Sequence, residues 1–238
     1  MKTSNFFDSM YSNVGSIKIL DDIFIDPNSD YDSYYSDFDT ILWLPSPDVV
    51  KQTPINQNIT GIVLCVKDIG FAYENLLDLQ SYFSGDEFSG SFKKIPDEQK
   101  DITVSKVKAL SESGFFLSVS LPAYLFDHDD DRKKVNAINY AITNSLLQRV
   151  FKEKHRVCIK NINVYIVGRG KINNGLDSRI AKLAKKLLNS EAKTSRIFVN
   201  SEKCEQSLTL DRFLGLCCWF VNQKGSRDNS KWLELIKG

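Results

Sequence analysis

Short runs of aliphatic and β-branched residues, each flanked by turn-forming segments, predict β-strands at five places along the chain. The runs are SIKILDDIFID at 16–26, ITGIVLCVK at 59–67, FFLSVSLP at 115–122, RVCIKNINVYIVGRG at 156–170 and SRIFVN at 195–200. The fourth run has the length of either one strand or a hairpin. Between the runs, apolar residues recur every three or four positions, which predicts helices.

Two of the predicted helices have the clearest patterns. Segment 127–151 opens with acids that favour a helix N-terminus, and its apolar residues then form one stripe from Val135 to Val150. Segment 207–223, SLTLDRFLGLCCWFVNQ, is apolar on most sides and should therefore be buried. The other predicted helices are 71–83, 102–114 and 176–189.

This order of elements predicts a single α/β domain over residues 1–238. The early strands would be antiparallel and the later ones joined by helical crossovers, as in an RNase H-like mixed sheet flanked by helices. An acidic, tyrosine-rich loop is expected at about 26–40. Several topologies share this order, so the fold class alone does not give a function.

The charges are unevenly distributed, although the net charge is only +1. Residues 1–50 carry nine acids against two bases, whereas residues 151–200 carry twelve bases against three acids. Such asymmetry fits a protein that gathers acids at one site and presents a basic surface to a polyanion. The alternative is that the helix at 176–189 simply has a solvated lysine face.

The composition disfavours several classes of protein. No window approaches about 18 consecutive apolar residues, and the first residues lack the apolar stretch of a secretory signal, so we expect a cytoplasmic protein without a membrane span. The five cysteines contain no CxxC pair, and their odd number argues for reduced, mostly buried thiols. Two histidines are too few for a histidine-rich zinc site, and no Cys/His nucleophile pair stands out.

Three short motifs carry a resemblance to a bacterial family. FIDPNSD at 24–30 resembles the opening F-I-D-E-S-G-D signature of the family called domain of unknown function 3800. EFSGSFKKI at 87–95 resembles its E-(I/L)-H/K-G-S segment, and SLTLDRFLG at 207–215 resembles its late L-Q-L-A-D-L-I-A-G helix. The family consists of RNase H-like proteins regarded as nucleases and often found with mobile elements and phage defence. The three matches occur in the family's order and span most of the chain.

The resemblance implies metal-dependent cleavage of phosphodiester bonds in nucleic acid. Two Mg²⁺ or Mn²⁺ ions about 4 Å apart would activate a water and stabilise the leaving oxygen, and such hard cations need several oxygen ligands from different elements. Asp26, Glu87 and Asp211 would be the catalytic metal ligands, with Asp177 as an additional one. The basic residues expected to contact phosphates without reading the sequence are Arg169, Lys171, Arg179, Lys182, Lys186 and Arg212.

Each of the three acids also has a simpler interpretation. Asp26 is followed directly by a proline, which breaks a strand and favours a turn, and Glu87 lies in a loop where an acid is usually solvated. Asp211 lies among apolar residues, where a carboxylate must be paired, hydrogen-bonded or bound to metal. It would otherwise be an N-terminal helix acid favoured by the helix dipole, with Ser207 or Thr209 as the cap.

The chain departs from the family pattern at the end of the strand predicted at 156–170. The family would have an aspartate there, whereas this chain has Val167, Gly168 and Arg169. Losing one of about four ligands weakens a two-metal site seriously. The missing aspartate favours a catalytically inactive relative that binds nucleic acid or a protein partner, whereas the three remaining acids favour a nuclease.

A third hypothesis is an interaction module that binds a protein partner through the loop at about 26–40. Aromatic residues are enriched at the energetic centres of interfaces, and this loop contains several of them. They are Tyr31, Tyr34, Tyr35 and Phe38.

Overall fold

The structure is a computed structural model, and it describes residues 39–66, 68–84, 94–111, 115–126, 130–154, 161–168, 175–189, 191–198 and 205–222. These residues form five β-strands and seven α-helices. The strands are β1 (Asp39–Trp43), β2 (Asn58–Val66), β3 (Phe115–Pro122), β4 (Asn161–Gly168) and β5 (Glu191–Phe198). The helices are α1 (Pro47–Gln52), α2 (Ile69–Asn75), α3 (Leu77–Ser84), α4 (Asp97–Ser111), α5 (Asp131–Lys154), α6 (Gly175–Leu188) and α7 (Glu205–Asn222).

The five strands form one mixed sheet in the order β3-β2-β1-β4-β5. Strand β2 runs antiparallel to both β1 and β3, whereas β4 is parallel to β1 and β5 is parallel to β4. Parallel neighbours need a crossover connection, and α6 connects β4 to β5 in this way. The predicted α/β class, with early antiparallel strands and later strands joined by helical crossovers, is confirmed.

Helices cover both faces of the sheet, because alternate residues of each strand belong to two different cores. Leu42 and Ile166 pack in a core with α1, α5 and α6. Their neighbours Ile41 and Val167 point the other way and pack in a core with α2, α3, α4 and α7. We call the first side of the sheet the α5–α6 face and the second side the α7 face.

Helix α7 confirms the prediction of a buried C-terminal helix. Its residues are buried at every position from Ser207 to Asp211 and again from Phe213 to Cys218. The helix lies against β1, β2 and β3 and against α3 on the α7 face. A helix that is apolar on most sides is stable only in such a position, with the sheet on one side and other helices on the remaining sides.

Strand β2 passes very close to α5 at Gly61. A Cβ atom added at this position would overlap Cγ2 of Ile142 and would lie 3.4 Å from the backbone oxygen of Trp43. Gly61 pairs with Val119 of β3 in the sheet, so the strand cannot shift away from α5 without disturbing the pairing. Glycine is therefore required here by the close approach of the helix.

The largest difference from the sequence-based prediction is β1 itself. The sequence predicts that Asp39 and Thr40 end an acidic loop, but they begin the central strand of the sheet. The segment 71–83 forms two helices rather than one, because the backbone N–H of Leu76 donates to the Tyr73 carbonyl at 3.1 Å, in a turn tighter than that of an α-helix. The predicted strand at 16–26 lies outside the described residues.

Candidate functional site

Asp211 lies in the second turn of α7 and is 8% exposed. The helix begins at Glu205, so Asp211 is too far from the N-terminus to be a first-turn acid. Thr209 is inside the helix, where its Oγ1 donates a hydrogen bond to the Glu205 carbonyl at 2.8 Å. The alternative in which Asp211 is an N-terminal helix acid capped by Ser207 or Thr209 is therefore wrong.

The carboxylate of Asp211 is held by a tryptophan from the central strand. Nε1 of Trp43 donates a hydrogen bond to Oδ1 of Asp211 at 2.9 Å. Trp43 is the last residue of β1, and its side chain packs on the α7 face, where the adjacent residue across the sheet is Val167 of β4. This contact gives one oxygen of the buried carboxylate a hydrogen-bond donor.

At their ends, β1 presents the indole of Trp43 and β4 presents the isopropyl group of Val167 on the α7 face. Trp43 and Val167 are paired in register, and strand β4 ends at Gly168 immediately afterwards. This is the strand end at which the family resemblance predicts an aspartate. Neither side chain offers an oxygen ligand to a hard cation.

A second buried carboxylate, Asp39, lies at the beginning of β1 on the same face. Its Oδ1 accepts a hydrogen bond from Asn163 Nδ2 at 3.0 Å, and its Oδ2 accepts one from the backbone N–H of Ile69 at 3.0 Å. Asp39 thus ties β1 to β4 and to the start of α2. Sequence reasoning missed this residue because it counted Asp39 among the loop acids, although the apolar run ILWL directly after it was the available signal.

Two tyrosines, one from β4 and one from α2, pack on the same face of the sheet as Asp39. Tyr165 of β4 is half-buried, and Tyr73 of α2 places its hydroxyl 3.4 Å from Oγ of Ser207. Burial raises the pKa of the Tyr165 hydroxyl above its usual value, and the nearby carboxylate of Asp39 raises that pKa further because it disfavours a second negative charge.

We expect this raised pKa to make the protein less stable at alkaline pH. The stabilisation from the neutral form of Tyr165 is fully present below the pKa of an unfolded tyrosine, about 10, and is lost as the pH rises through the higher folded pKa. Tyr165→Phe should flatten this part of the stability curve, measured by denaturant unfolding at a series of alkaline pH values. An alkaline stability loss of the same size in Tyr165→Phe would contradict this attribution.

Asp177, the predicted additional metal ligand, is engaged elsewhere. Its Oδ2 accepts a hydrogen bond from Nη2 of Arg196 at 2.8 Å, as part of an ion pair between α6 and β5. Helix α6 packs on the α5–α6 face, whereas Asp211 belongs to a helix on the opposite face. The structure therefore does not bring Asp177 and Asp211 together. Asp26 and Glu87 lie outside the described residues.

The described part of the chain includes two of the four predicted metal ligands, Asp177 and Asp211, and they lie on opposite faces of the sheet. No group of three or more histidine, cysteine, aspartate or glutamate side chains converges among the described residues. Asp211 is the one predicted ligand on the α7 face that these residues include, and an indole N–H occupies its Oδ1. The indole N–H uses one of about four acceptor positions of the carboxylate, and carboxylates that bind metal ions are commonly held by such a hydrogen bond, so the contact with Trp43 orients Asp211 without deciding between a structural acceptor and a metal ligand.

The predicted phosphate-binding residues are distributed over both sides of the protein. Lys182 and Lys186 are exposed on α6. Arg179 is half-buried on the same helix, and its guanidinium carbon lies 5.4 Å from the ring centre of Tyr140. Arg212 is half-buried on α7, at the other face of the sheet. Arg169 and Lys171 lie outside the described residues, as do the four aromatic residues of the predicted partner-binding loop.

Comparison with known proteins does not identify a family. No protein-family model matches the chain, and no curated protein is significantly similar to it. The resemblance carried by the three motifs therefore stays a prediction. Within the described ranges, no helix is both long enough and apolar enough to cross a membrane.

Proposed function

We propose that the protein is an RNase H-like nucleic-acid-binding protein in which Asp211 is a structural hydrogen-bond acceptor instead of a metal ligand. The observation that carries the proposal is the hydrogen bond from Trp43 Nε1 to Asp211 Oδ1. It gives the one described carboxylate of the predicted catalytic set a different partner, at the place where β4 also lacks the expected aspartate. The protein would then bind nucleic acid without hydrolysing it.

The architecture of the sheet supports the RNase H-like part of this proposal. Three antiparallel strands come first in the chain, and two strands parallel to β1 follow, with α6 between them. The order of elements in the sequence predicts early antiparallel strands and later strands joined by helical crossovers, as in an RNase H-like fold. Among the described residues, Cys65, Cys217 and Cys218 are buried and form no disulfide, which supports a cytoplasmic location because thiols stay reduced there.

A metal-dependent nuclease is the second candidate, and the burial of Asp211 favours it. A carboxylate in the second turn of a helix, surrounded by Leu210 and Leu214, is costly to desolvate and is often kept for a functional reason. In this alternative Asp26 and Glu87 would supply the further oxygen ligands for Mg²⁺ or Mn²⁺. The bound ions would activate a water for attack on the phosphodiester. Trp43 would then orient the Asp211 carboxylate.

A cleavage assay with Mn²⁺ separates the two candidates. We expect the wild-type protein to leave single-stranded and duplex DNA and RNA uncleaved, with and without Mn²⁺. We also expect Asp211→Asn to bind a labelled oligonucleotide as tightly as the wild type, because asparagine keeps an acceptor oxygen for Trp43.

Two results of this assay would contradict the proposal. Mn²⁺-dependent cleavage that falls by about a hundredfold or more in Asp211→Asn would establish the nuclease, because loss of a metal ligand removes the ion that activates the water. Failure of the wild-type protein to bind any nucleic acid at low salt would exclude both candidates, since phosphate contacts are strongest under that condition.

A further inference from the structure

Helix α6 has one buried face and one exposed face, and the exposed face carries a stripe of lysines. Leu176, Ile180, Leu183 and Ala184 are buried at the spacing of one helical face. Lys182, Lys185 and Lys186 are exposed on the other face. We call these three residues the α6 lysine stripe. None of the three forms an ion pair with a described residue.

The charge around the stripe is strongly one-sided. Residues 178–189 contain four bases and no acid, and the single acid of the helix, Asp177, is already paired with Arg196. A solvated helix surface usually mixes both signs of charge, which limits the attraction of polyanions. These positions of α6 contain no acid, so the helix itself carries a net positive charge there, and the next acid along the chain is Glu191, exposed at the start of β5.

We propose that the α6 lysine stripe is the surface on which the protein holds the phosphate backbone of nucleic acid. The proposal rests on the nucleic-acid-binding function argued above and names the contact. Lys182 and Lys186 are one helical turn apart, about 6 Å along the axis, which is on the order of the spacing of successive phosphates along an extended strand. Lysine ammonium groups act as point charges and suit a repeating anion.

The composition of the stripe favours a nucleic-acid backbone over a membrane surface. A helix that lies on a lipid bilayer exposes large apolar side chains beside its lysines. The exposed large apolar residues of the described chain are Val49, Ile55, Leu77 and Tyr124, and none of them belongs to α6. The small residues Ser178 and Ala181 accompany the lysines on the exposed surface instead. With lysines and small residues alone, the surface would not distinguish one base sequence from another.

The experiment measures binding of a labelled, mixed-sequence single-stranded DNA by fluorescence anisotropy at several salt concentrations. The test variant is Lys182→Gln/Lys185→Gln/Lys186→Gln. Its matched control, Lys94→Gln/Arg132→Gln/Lys133→Gln, removes three charges from exposed positions outside α6. Both variants change only exposed side chains, and thermal unfolding would show that each is folded.

We expect the salt dependence to change in the test variant alone. Removing three phosphate contacts should lower the slope of log Kd against log salt by about 2, so that Kd changes roughly 20-fold less between 50 and 200 mM salt. The control should keep the wild-type slope. Oligonucleotides of different sequence should bind the wild type with the same Kd.

The other outcomes overturn the proposal in distinguishable ways. A wild-type slope in the test variant, or an equal reduction in both variants, would show that the α6 lysine stripe is not the contact while leaving nucleic-acid binding intact. Binding of poly-glutamate or of phosphatidylserine vesicles as tightly as DNA would assign the stripe to another class of anion. No binding of DNA or RNA by the wild type would overturn this inference together with the proposed function.

Discussion

Replacing Trp43 by alanine should lower the free energy of unfolding by about 3 kcal/mol. Trp43 packs against the core on the α7 face, so its removal leaves a cavity beside α7. The same change takes away the N–H that donates to Oδ1 of Asp211, a carboxylate that is 8% exposed. The two losses act at one site, and denaturant unfolding monitored by circular dichroism would measure their sum.

Two further variants separate the hydrogen bond from the packing. Trp43→Phe keeps much of the ring but removes the donor, and a lost hydrogen bond to a charged group costs about 1.5–3 kcal/mol. In the Asp211→Asn background, Trp43→Phe should lower the free energy of unfolding by less, because the hydrogen-bond partner of the indole is then neutral. A metal ligand oriented by Trp43 would behave differently, since Trp43→Phe would lower Mn²⁺ affinity with little change in unfolding. If Trp43→Phe lowers the free energy of unfolding equally in the wild type and in Asp211→Asn, the contact with the Asp211 charge is not stabilising.

Gly61→Val should destabilise the protein by about 3 kcal/mol, although valine is favoured in strands. The new Cβ would overlap Cγ2 of Ile142, and a buried strand paired on both sides cannot move away. Urea unfolding of the purified variant would measure the loss. An unchanged unfolding midpoint would show that α5 can shift to accept the larger side chain.

A double-mutant cycle makes this prediction specific to one pair of residues. Ile142→Ala alone removes Cγ1, Cγ2 and Cδ1 from the core and should cost about 2–5 kcal/mol. In the Gly61→Ala background the same change should cost less by about 1–3 kcal/mol, because the new methyl group fills part of the space. Strictly additive effects would show that the two residues do not compete for volume. Val63→Ala combined with Ile142→Ala serves as the comparison, because Val63 lies in the same core and its truncation adds no methyl group.

The sequence predicted the elements with strong patterns and missed those decided by distant contacts. Helix α7 was predictable because its apolar residues occupy nearly every side, which only a buried helix tolerates. Strand β1 was not predictable in the same way, since its five residues follow an acidic tract that dominates the local composition. Helix α4 begins at Asp97, earlier than predicted, because its first turn is polar and lacks an apolar repeat.

Contacts between residues far apart in the sequence also limited what could be predicted about the candidate site. The sequence marked Asp211 as a carboxylate that needs a partner, and the structure confirms that it is buried and hydrogen-bonded. The identity of the partner was beyond local reasoning, because Trp43 is separated from Asp211 by 168 residues. The same holds for Asp177, since its pairing with Arg196 depends on how α6 packs against β5.

The position of β1 in the middle of the sheet has a consequence for how the chain acquires its structure during synthesis. Strands β1 and β2 are separated only by residues 44–57 and pair antiparallel, so this local pairing forms early, whereas β3 joins β2 across α2, α3 and α4. The other edge of β1 pairs with β4, and its Asp39 meets Asn163 across a separation of 124 residues. Until β4 has left the ribosome, the hydrogen-bonding edge of the future central strand stays open to pairing with another chain. A nascent chain stalled before β4 would therefore be the form most in need of a chaperone.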